Sequence, residues 1–449
     1  MSKPNERAVQ RRWDWPYPIV EKCEGIYIWD TDGKRYIDGS GGSAVVTAVG
    51  EGVREIPEAM YQQAQQYSFY PAHAFSNPKL LEAADLMADI APGTLRNNCK
   101  TWFTVTGSEA TDDACRLARQ YFLAKGEPSR SIILGRWQAF HGDNIFSVSI
   151  SGATARRRQY TPMFRDMPKI PAAFCYRCYF EKTYPECKLR CARALEDAIC
   201  LSGPENIAAF IAEPVVGSSL ASAPPPPGYY EIIRKICDKY GILFITDEVM
   251  TSLGRTGKMW GIEHWDATPD IFALSKSLTS GYFPAAAVVA RDDIWETLRK
   301  ANRHYRGGHT LNASVIGMAA TIQTIHYILE HNLVENARVM GDYLMQQLQG
   351  LLEYRTIGDV RGKGLMVGFE FVTDKKTKEP FPPDREVAMA FSRLTFERGL
   401  VSYPCVGTVW GVAGDTIMLA PPLIISRSQI DEIMGILHDS MRAFEALAG

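Results

Sequence analysis

Short apolar runs alternate with amphipathic segments over the middle of the chain. The runs are mainly apolar, and helical periodicity fills the stretches between them. They lie at residues 101–105, 131–135, 207–216, 242–249, 271–275 and 285–290. Strands that are apolar on both faces are typical of a parallel sheet covered on both sides by helices. The pattern therefore predicts an α/β fold, with a mostly parallel sheet sandwiched by helices.

The two ends of the chain follow other patterns. Residues 1–60 predict an extended N-terminal arm followed by a peripheral hairpin, because residues 25–42 alternate apolar and polar positions and carry the turn signals Asp32-Gly33 and Asp38-Gly39. The segment after residue 333 predicts a smaller α+β domain. Its elements are a helix at 334–352, a strand-like segment at 360–372, a helix at 387–398, a strand-like segment at 416–423 and a closing helix from Gln429. We therefore expect a large domain at 61–333, with the arm at 1–60 forming part of a small domain completed by 334–449.

Composition and charge limit the kinds of partner. Of the 449 residues, 46% are hydrophobic and 22% are charged, which is typical of a large globular protein. Lys plus Arg total 49 and Asp plus Glu total 51 without long blocks of either sign, so the charge pattern of a nucleic-acid or membrane-surface binder is missing. No run approaches the ~18 consecutive apolar residues of a membrane span, and the N-terminus lacks a secretory signal. We expect small-molecule partners and a cytoplasmic location.

The first candidate site follows the apolar run at 101–105. Thr106 and Glu109 have the spacing of a capping box, which places Gly107 and Ser108 at the N-terminus of a helix. The unpaired N–H groups and the positive dipole end of a helix N-terminus attract anions, and glycine lets a phosphate approach the backbone. Taken alone, the segment is better explained as an ordinary capped helix.

Three later strands each deliver charged residues at their carboxyl ends: Glu213, Asp247 with Glu248, and Lys276. In open α/β sheets these ends border the ligand crevice, so we expect the charges to converge on one site. A partly desolvated Lys276 suits Schiff-base chemistry, because burial disfavours its ammonium form. A facing Asp247 suits a carboxylate that keeps a pyridine nitrogen protonated. A phosphate site, an aspartate and a lysine together predict pyridoxal 5′-phosphate.

Several of these motifs, in their order and spacing, resemble those of the class III (omega) aminotransferases, which have the type I fold of pyridoxal-phosphate enzymes. The matching segments are TGSEATDDACRLAR, AFHG, AEPVVG, ITDEVMTSLGRTG, ALSKSLTSG and GHTLNAS. The resemblance covers nearly the whole chain, and its DEV…GRTG…SK string is highly specific. It implies ping-pong transfer of an amino group from an amine donor to a keto acid such as pyruvate or 2-oxoglutarate. It also implies a homodimer, or a tetramer, with shared active sites.

The resemblance implies roles for individual residues. Lys276 would bind the cofactor as a Schiff base and move a proton, and Asp247 would pair with the pyridine nitrogen. Phe140 and Val249 would pack against opposite faces of the ring. The other cofactor residues implied are Gly107 and Ser108 through their backbone amides, Thr310 from the neighbouring subunit, and His141 and Glu213, for each of which a structural role is the alternative.

Departures from the family pattern bear on the substrate. Met250 stands where many relatives have a Gln that reaches the cofactor's phenolic oxygen, and methionine cannot donate a hydrogen bond. No Arg precedes the PPL motif at 421–423, and the mobile Arg of amine:pyruvate relatives would fall close to Gly411. Arg361 is present, but a structural turn is its favoured interpretation. We therefore expect the donor amine at a terminal or β position, a keto acid held by another Arg or by backbone donors, and a roomy pocket beside residues 43–45, where relatives carry a bulky aromatic.

Four cysteines lie in an insert with the spacing C-x2-C-x8-C-x3-C: Cys175, Cys178, Cys187 and Cys191. Four thiolates are a reasonable zinc or iron–sulfur set. The spacing matches no standard zinc signature, however, and amino transfer needs no metal. We therefore favour buried thiols or a labile disulfide and predict no metal site.

Two alternative functions stay open at this point. The same cofactor serves decarboxylases, racemases and aminomutases, because the protein selects which bond is cleaved. A non-catalytic regulatory protein that binds pyridoxal phosphate or a metal is the second alternative, since a fold alone does not fix function. A Rossmann dehydrogenase is disfavoured, because no G-x-G-x-x-G follows a strand.

Overall fold

The elements of the fold alternate as the apolar runs predict. The computed structural model describes residues 7–448. Its strands are β1 Val20–Glu24, β2 Tyr27–Asp30, β3 Arg35–Asp38, β4 Cys99–Thr104, β5 Ile132–Arg136, β6 Lys169–Ile170, β7 Ile207–Ala212, β8 Leu243–Asp247, β9 Ile271–Leu274, β10 Ala286–Arg291, β11 Ile357–Lys363, β12 Met366–Phe371, β13 Leu400–Val401, β14 Tyr403–Val409 and β15 Ala413–Leu419. Its α-helices are α1 Glu55–Gln66, α2 Pro78–Ile90, α3 Gly107–Ala124, α4 Ile145–Ile150, α5 Thr154–Arg157, α6 Arg190–Ser202, α7 Tyr229–Tyr240, α8 Asp292–Lys300, α9 Val315–Glu330, α10 Leu333–Gln349, α11 Val387–Glu397 and α12 Arg427–Ala448.

The central sheet has the strand order β4-β10-β9-β8-β7-β5-β6. Only β10 runs antiparallel to its neighbours β4 and β9, so the predicted, mostly parallel sheet is confirmed. Every residue of β7, β8 and β9 is buried. Successive side chains point to opposite faces, so Phe210 packs into the core on one side of the sheet and Ile211 into the core on the other. Burial on both faces is the reason these strands are apolar throughout.

Helix α3 begins as the capping-box spacing predicts. The Oγ1 of Thr106 accepts a hydrogen bond from the backbone N–H of Glu109 at 3.2 Å, and the carboxylate of Glu109 accepts one from the backbone N–H of Thr106 at 3.0 Å. The face of the helix that carries Ala110, Ala114 and Leu117 is buried against the central sheet. The capping box determines the residue at which α3 begins, and the buried face determines the orientation of the helix on the sheet.

Two smaller sheets flank the central one. In one, the arm strands β1, β2 and β3 are joined by β13 from the C-terminal part, which pairs in parallel with β3. The other has the order β11-β12-β15-β14. The strand-like segment at 360–372 is the β11–β12 hairpin, and the segment at 416–423 begins within β15. The sequence did not predict β14, an edge strand that contains Pro404, because proline is tolerated only where no ladder hydrogen bond is needed.

None of the helices within residues 7–448 combines the length and apolar character needed to cross a membrane.

Candidate active site

A cavity of about 370 Å³ lies at the carboxyl ends of β7, β8 and β9. Eight of the nine residues predicted to bind the cofactor line it: Gly107, Ser108, Phe140, His141, Glu213, Asp247, Val249 and Lys276. The ninth, Thr310, is exposed and does not line the cavity of its own chain. The expected convergence of strand-end charges therefore occurs, because neighbouring parallel strands end at the same edge of the sheet.

Asp247, the last residue of β8, is held in place by two hydrogen bonds. One carboxylate oxygen lies 2.8 Å from Nδ1 of His141, and the other accepts the backbone N–H of Val249 at 3.0 Å. Because a carboxylate only accepts, Nδ1 of His141 carries the proton in this pair. The backbone N–H of His141 donates to Oγ of Ser151 at 2.8 Å, which positions the backbone that carries the imidazole. Both side chains of the pair are buried, so Asp247 presents a carboxylate of fixed orientation to the cavity.

Lys276 follows β9 with a left-handed backbone, at φ +46°. Burial lowers the pKa of its amine to about 8, and the nearby charge of Asp247 partly opposes this effect. A positive φ is uncommon for a residue with a Cβ and is often seen where function requires a side chain to be aimed. Lys276 is thus a lysine whose amine is partly neutral near physiological pH.

The N-terminus of α3 forms part of the cavity wall through Gly107 and Ser108. Oγ of Ser108 accepts the backbone N–H of Asp143 at 3.1 Å, which ties the helix start to the loop after Phe140. Gly142 makes this close approach feasible, because a Cβ at this position would lie 2.5 Å from Oγ of Ser108. The backbone of Gly107 approaches Val249 in a similar way, with a Cβ expected 3.0 Å from Cγ1. Gly107 and Ser108 of this turn line the cavity, and the unpaired N–H groups of a helix N-terminus favour an anion.

Glu213 lies beyond the end of β7 in a buried network. Arg136 donates to its backbone carbonyl at 2.6 Å, and the Arg136 guanidinium lies 3.8 Å from its carboxylate. The backbone N–H of Gly217 donates to the same carboxylate at 3.3 Å. Burial raises the pKa of Glu213 to about 7, against the opposing charges of His141 and Arg136. Glu213 is therefore a buried loop anchor at the cavity wall.

Glu248 does not join the strand-end charges, contrary to our expectation. Its carboxylate accepts the backbone N–H groups of Gly261 and Ile262, each at 2.9 Å, and the hydroxyl of Thr251. It points away from the cavity because successive residues of an extended strand end face opposite sides. Glu248 instead stabilises the long loop after β8.

The wall of the cavity around Met250 is apolar. Met250 lines the cavity and packs against Gly217, whose Cβ would lie 2.3 Å from its Sδ. Val45 is completely buried in a separate apolar cluster, and Val46 lines the cavity in its place. Sequence reasoning missed Val46 and also Phe283, which follows Lys276 closely in the chain and lines the same cavity.

The four clustered cysteines lie apart from this cavity. Cys175 is exposed, and Cys178, Cys187 and Cys191 are partly exposed, all as free thiols. In the part of the chain that the structure describes, no group of three or more His, Cys, Asp or Glu side chains is arranged to hold a metal ion. Burial raises the pKa of Cys191 to about 12, which disfavours a thiolate there.

The donor set of the cavity fits pyridoxal 5′-phosphate. The start of α3 offers N–H groups for a phosphate, Asp247 offers a fixed carboxylate for a pyridine nitrogen, and Lys276 offers a partly neutral amine for an aldehyde. The apolar residues Phe140 and Val249 line the same cavity and suit the faces of a planar ring.

Comparison with known proteins agrees with this chemistry, since the family model for class III aminotransferases matches residues 9–441. The chain belongs to the class III aminotransferases. It is 37% identical to the uncharacterized aminotransferase YodT of Bacillus subtilis, over 96% of each chain, and 34% identical to the putrescine–pyruvate aminotransferase of Pseudomonas aeruginosa, over 93% of this chain and 88% of the relative. The solved (S)-enantioselective omega-transaminase of Thermomicrobium roseum superimposes with a TM-score of 0.88 at 35% identity, over 95% of this chain and 92% of that one. The enzyme is therefore a pyridoxal-phosphate-dependent aminotransferase of the type I fold, and the family match favours amino transfer over the alternative functions.

Proposed function

We propose that the enzyme transfers the amino group of a terminal or β-amine donor to a keto acid such as pyruvate or 2-oxoglutarate, by a ping-pong mechanism. The observation that carries this proposal is the meeting of Lys276, the Asp247–His141 pair and the start of α3 in one cavity. When bound, pyridoxal 5′-phosphate supplies the electron sink for cleavage of a bond to the carbon that bears the amine.

The chain's own groups would act as follows. Asp247, held by His141, keeps a proton on the pyridine nitrogen and so maintains the cofactor's electron demand. The Nζ of Lys276 would hold the cofactor covalently between turnovers and, once released, would take up and return a proton. Its lowered pKa of about 8 suits both tasks, because the neutral and charged forms are both accessible at working pH. Gly107 and Ser108 hold the phosphate.

The donor class rests on what lines the cavity and on the relatives. Its lining residues, all within the described part of the chain, include no arginine, so a carboxylate directly beside the reacting amine would find no guanidinium there. Val46, Met250 and Phe283 make the adjoining wall apolar. A relative whose name specifies putrescine, a terminal diamine, and a neighbour named as an omega-transaminase support the same class of donor.

A panel of amines tests the proposal. The purified enzyme is mixed with putrescine, an aryl amine, β-alanine and L-alanine, and conversion of the bound cofactor to its pyridoxamine form is followed by absorbance. We expect conversion by terminal amines, with the long or aryl amine preferred over β-alanine, and recovery of the original spectrum on addition of pyruvate or 2-oxoglutarate. No conversion by any donor would refute the amino-transfer proposal, and fastest conversion by L-alanine would refute the donor class. The variant Lys276→Ala should lack the absorbance of lysine-bound cofactor.

We also propose that two copies of the chain share each active site. Thr310 is exposed and lies outside its own cavity, in agreement with the resemblance that assigns it to the partner's phosphate. Mixed dimers of Lys276→Ala and Thr310→Ala chains test this arrangement. If the sites are shared, one site of each mixed dimer has both residues intact, and activity rises above that of either parent homodimer. Activity no higher than the mean of the parents, or a monomer in sedimentation, would contradict the proposal.

A further inference from the structure

Arg156 extends over Phe140 at the wall of the cofactor cavity. Its guanidinium carbon lies 4.4 Å from the centroid of the Phe140 ring, a favourable cation–π distance. Phe140 lines the cavity, and the charge of Arg156 is close enough to lower the pKa of the Lys276 amine. Arg156 is exposed and does not itself line the cofactor cavity, although it contacts Phe140, which does.

No carboxylate within residues 7–448 forms an ion pair with Arg156, in contrast to most arginines around it. The neighbouring arginines are occupied: Arg136 by Glu213, Arg157 by Asp166, Arg177 by Glu370 and Arg361 by Asp359 and Glu370. Arg255 is fully buried, with its Nη1 bonded to backbone carbonyls, and it does not line the cofactor cavity. Arg156 is thus a cation with unused hydrogen-bond donors beside the reacting groups.

A second, smaller cavity of about 140 Å³ lies against Arg156. Its wall includes Ser218, Ser219 and Cys405. Ser219 is only 9% exposed, and its Oγ is buried without a hydrogen-bond partner. A buried hydroxyl without a partner is costly unless a ligand satisfies it. Arg156 and Ser219 both line this small cavity, and each carries a side-chain group that can donate a hydrogen bond to an anion.

Gly411 keeps this space open. It lies in the wall of the small cavity, with φ +71°. A Cβ there would lie 2.3 Å from Cβ of Thr154, so a longer side chain at this position would displace the residue that starts α5. The cation at this cavity therefore comes from Arg156 and not from residue 411.

We propose that Arg156, assisted by the hydroxyl of Ser219, binds the carboxylate of the keto acid acceptor. The inference rests on the aminotransferase function proposed above and names the residue that selects its acidic substrate. A planar guanidinium binds a carboxylate through two parallel hydrogen bonds, which also orients the keto group. Phe140 lines the cofactor cavity, and stacking on its ring holds the guanidinium of Arg156 in place.

The variant Arg156→Gln tests this role, with two acceptors of different charge. We expect kcat/KM for pyruvate and 2-oxoglutarate to fall about 10- to 100-fold, mainly through KM, because a charge-assisted hydrogen bond is lost. With hexanal, an acceptor that has no carboxylate, kcat/KM should change less than about twofold. Ser219→Ala should lower kcat/KM for the keto acids by a smaller factor. Arg156→Lys should lower it by an intermediate factor, because lysine keeps the charge but lacks the planar guanidinium.

Arg158→Gln is the matched control. Arg158 is an exposed arginine on the same segment, so this variant removes an equal charge without touching the small cavity. Arg158→Gln should leave kcat/KM unchanged for both the keto acids and hexanal. Thermal unfolding and cofactor absorbance show whether each variant folds and binds cofactor. Should Arg156→Gln fail to fold, Arg156→Lys and Ser219→Ala carry the comparison.

The outcomes separate this inference from the function beneath it. An unchanged KM for keto acids in Arg156→Gln, or an equal fall for keto acids and hexanal, overturns the role of Arg156 while amino transfer stands. A wild-type enzyme that no amine donor converts overturns the proposed function instead. Calorimetric titration with propanoate then still decides the binding role, since we expect wild-type and Arg158→Gln enzymes to bind it at least tenfold more tightly than Arg156→Gln.

Discussion

The lowered pKa of Lys276 gives the most direct quantitative prediction. Burial brings this pKa from 10.5 to about 8. At pH 7 about one amine in ten is then neutral, against about three in ten thousand for an ordinary lysine, so the reactive form is about 300-fold more abundant. The apoenzyme, from which the cofactor has been removed, leaves this amine free to react.

Competitive acetylation with trace acetic anhydride measures this difference. The apoenzyme is labelled between pH 6 and 11, and mass spectrometry compares the acetylation of Lys276 with that of the exposed Lys376. Only the neutral amine reacts, so labelling of Lys276 should rise about tenfold per pH unit up to about pH 8 and then level off. The variant Arg156→Gln removes a nearby positive charge. This removal stabilises the ammonium form of Lys276 and should move the inflection to higher pH. Arg158→Gln should leave it in place. Labelling of Lys276 that keeps rising beyond pH 10 in the wild type would refute the reasoning.

The remaining predictions concern the supports of the site. Asp247→Asn should lower kcat by roughly 10²-fold or more with the cofactor still bound, because an amide cannot hold the pyridine proton; steady-state kinetics and the bound-cofactor spectrum check this. Gly142→Ala should weaken cofactor affinity and lower the melting temperature, since the new Cβ would lie 2.5 Å from Oγ of Ser108; equilibrium titration of the apoenzyme with cofactor measures the effect. Burial raises the pKa of Glu248 to about 7, so the native state binds more protons than the unfolded state above pH 4.5, and the contribution of this group to stability falls as pH rises through about 7. Glu248→Gln should therefore flatten the pH dependence of the free energy of unfolding between pH 4.5 and 7, as measured by urea denaturation, and a slope equal to that of the wild type would contradict this.

The sequence predicted the central sheet well because its strands are buried on both faces. Strands buried on both faces are mainly apolar, and the six apolar runs correspond to six of the seven strands of that sheet. The two-residue strand β6 was not predicted. The edge strand β14 contains Pro404 and Gly407, both of which argue against a strand in isolation. An edge needs hydrogen bonds on one side only, and no local pattern shows which segments will lie at an edge.

Site residues were predictable where the order of strands places them at one edge of the sheet. They were not predictable where tertiary packing decides which way a side chain points. Asp247 and Lys276 follow parallel strands that are neighbours in the sheet, so they had to meet. Glu248 is adjacent to Asp247 in the chain and equally charged, yet it faces the loop after β8. Arg156 stands in a run of three arginines, of which Arg157 turns to Asp166 and only Arg156 covers Phe140. Tertiary packing made that choice, and no local pattern in the sequence expresses it.

The position of Arg156 couples recognition of the acid to proton transfer. Its charge lowers the pKa of Lys276, and the charge of Asp247 raises it. A carboxylate bound to Arg156 offsets the positive charge, so the ammonium form of Lys276 becomes less unfavourable when an acidic acceptor is present. That is the form with a proton to give, and an uncharged acceptor would not promote it. An arginine at this place therefore does more than add affinity, since the arrival of the keto acid itself adjusts the lysine toward donating its proton.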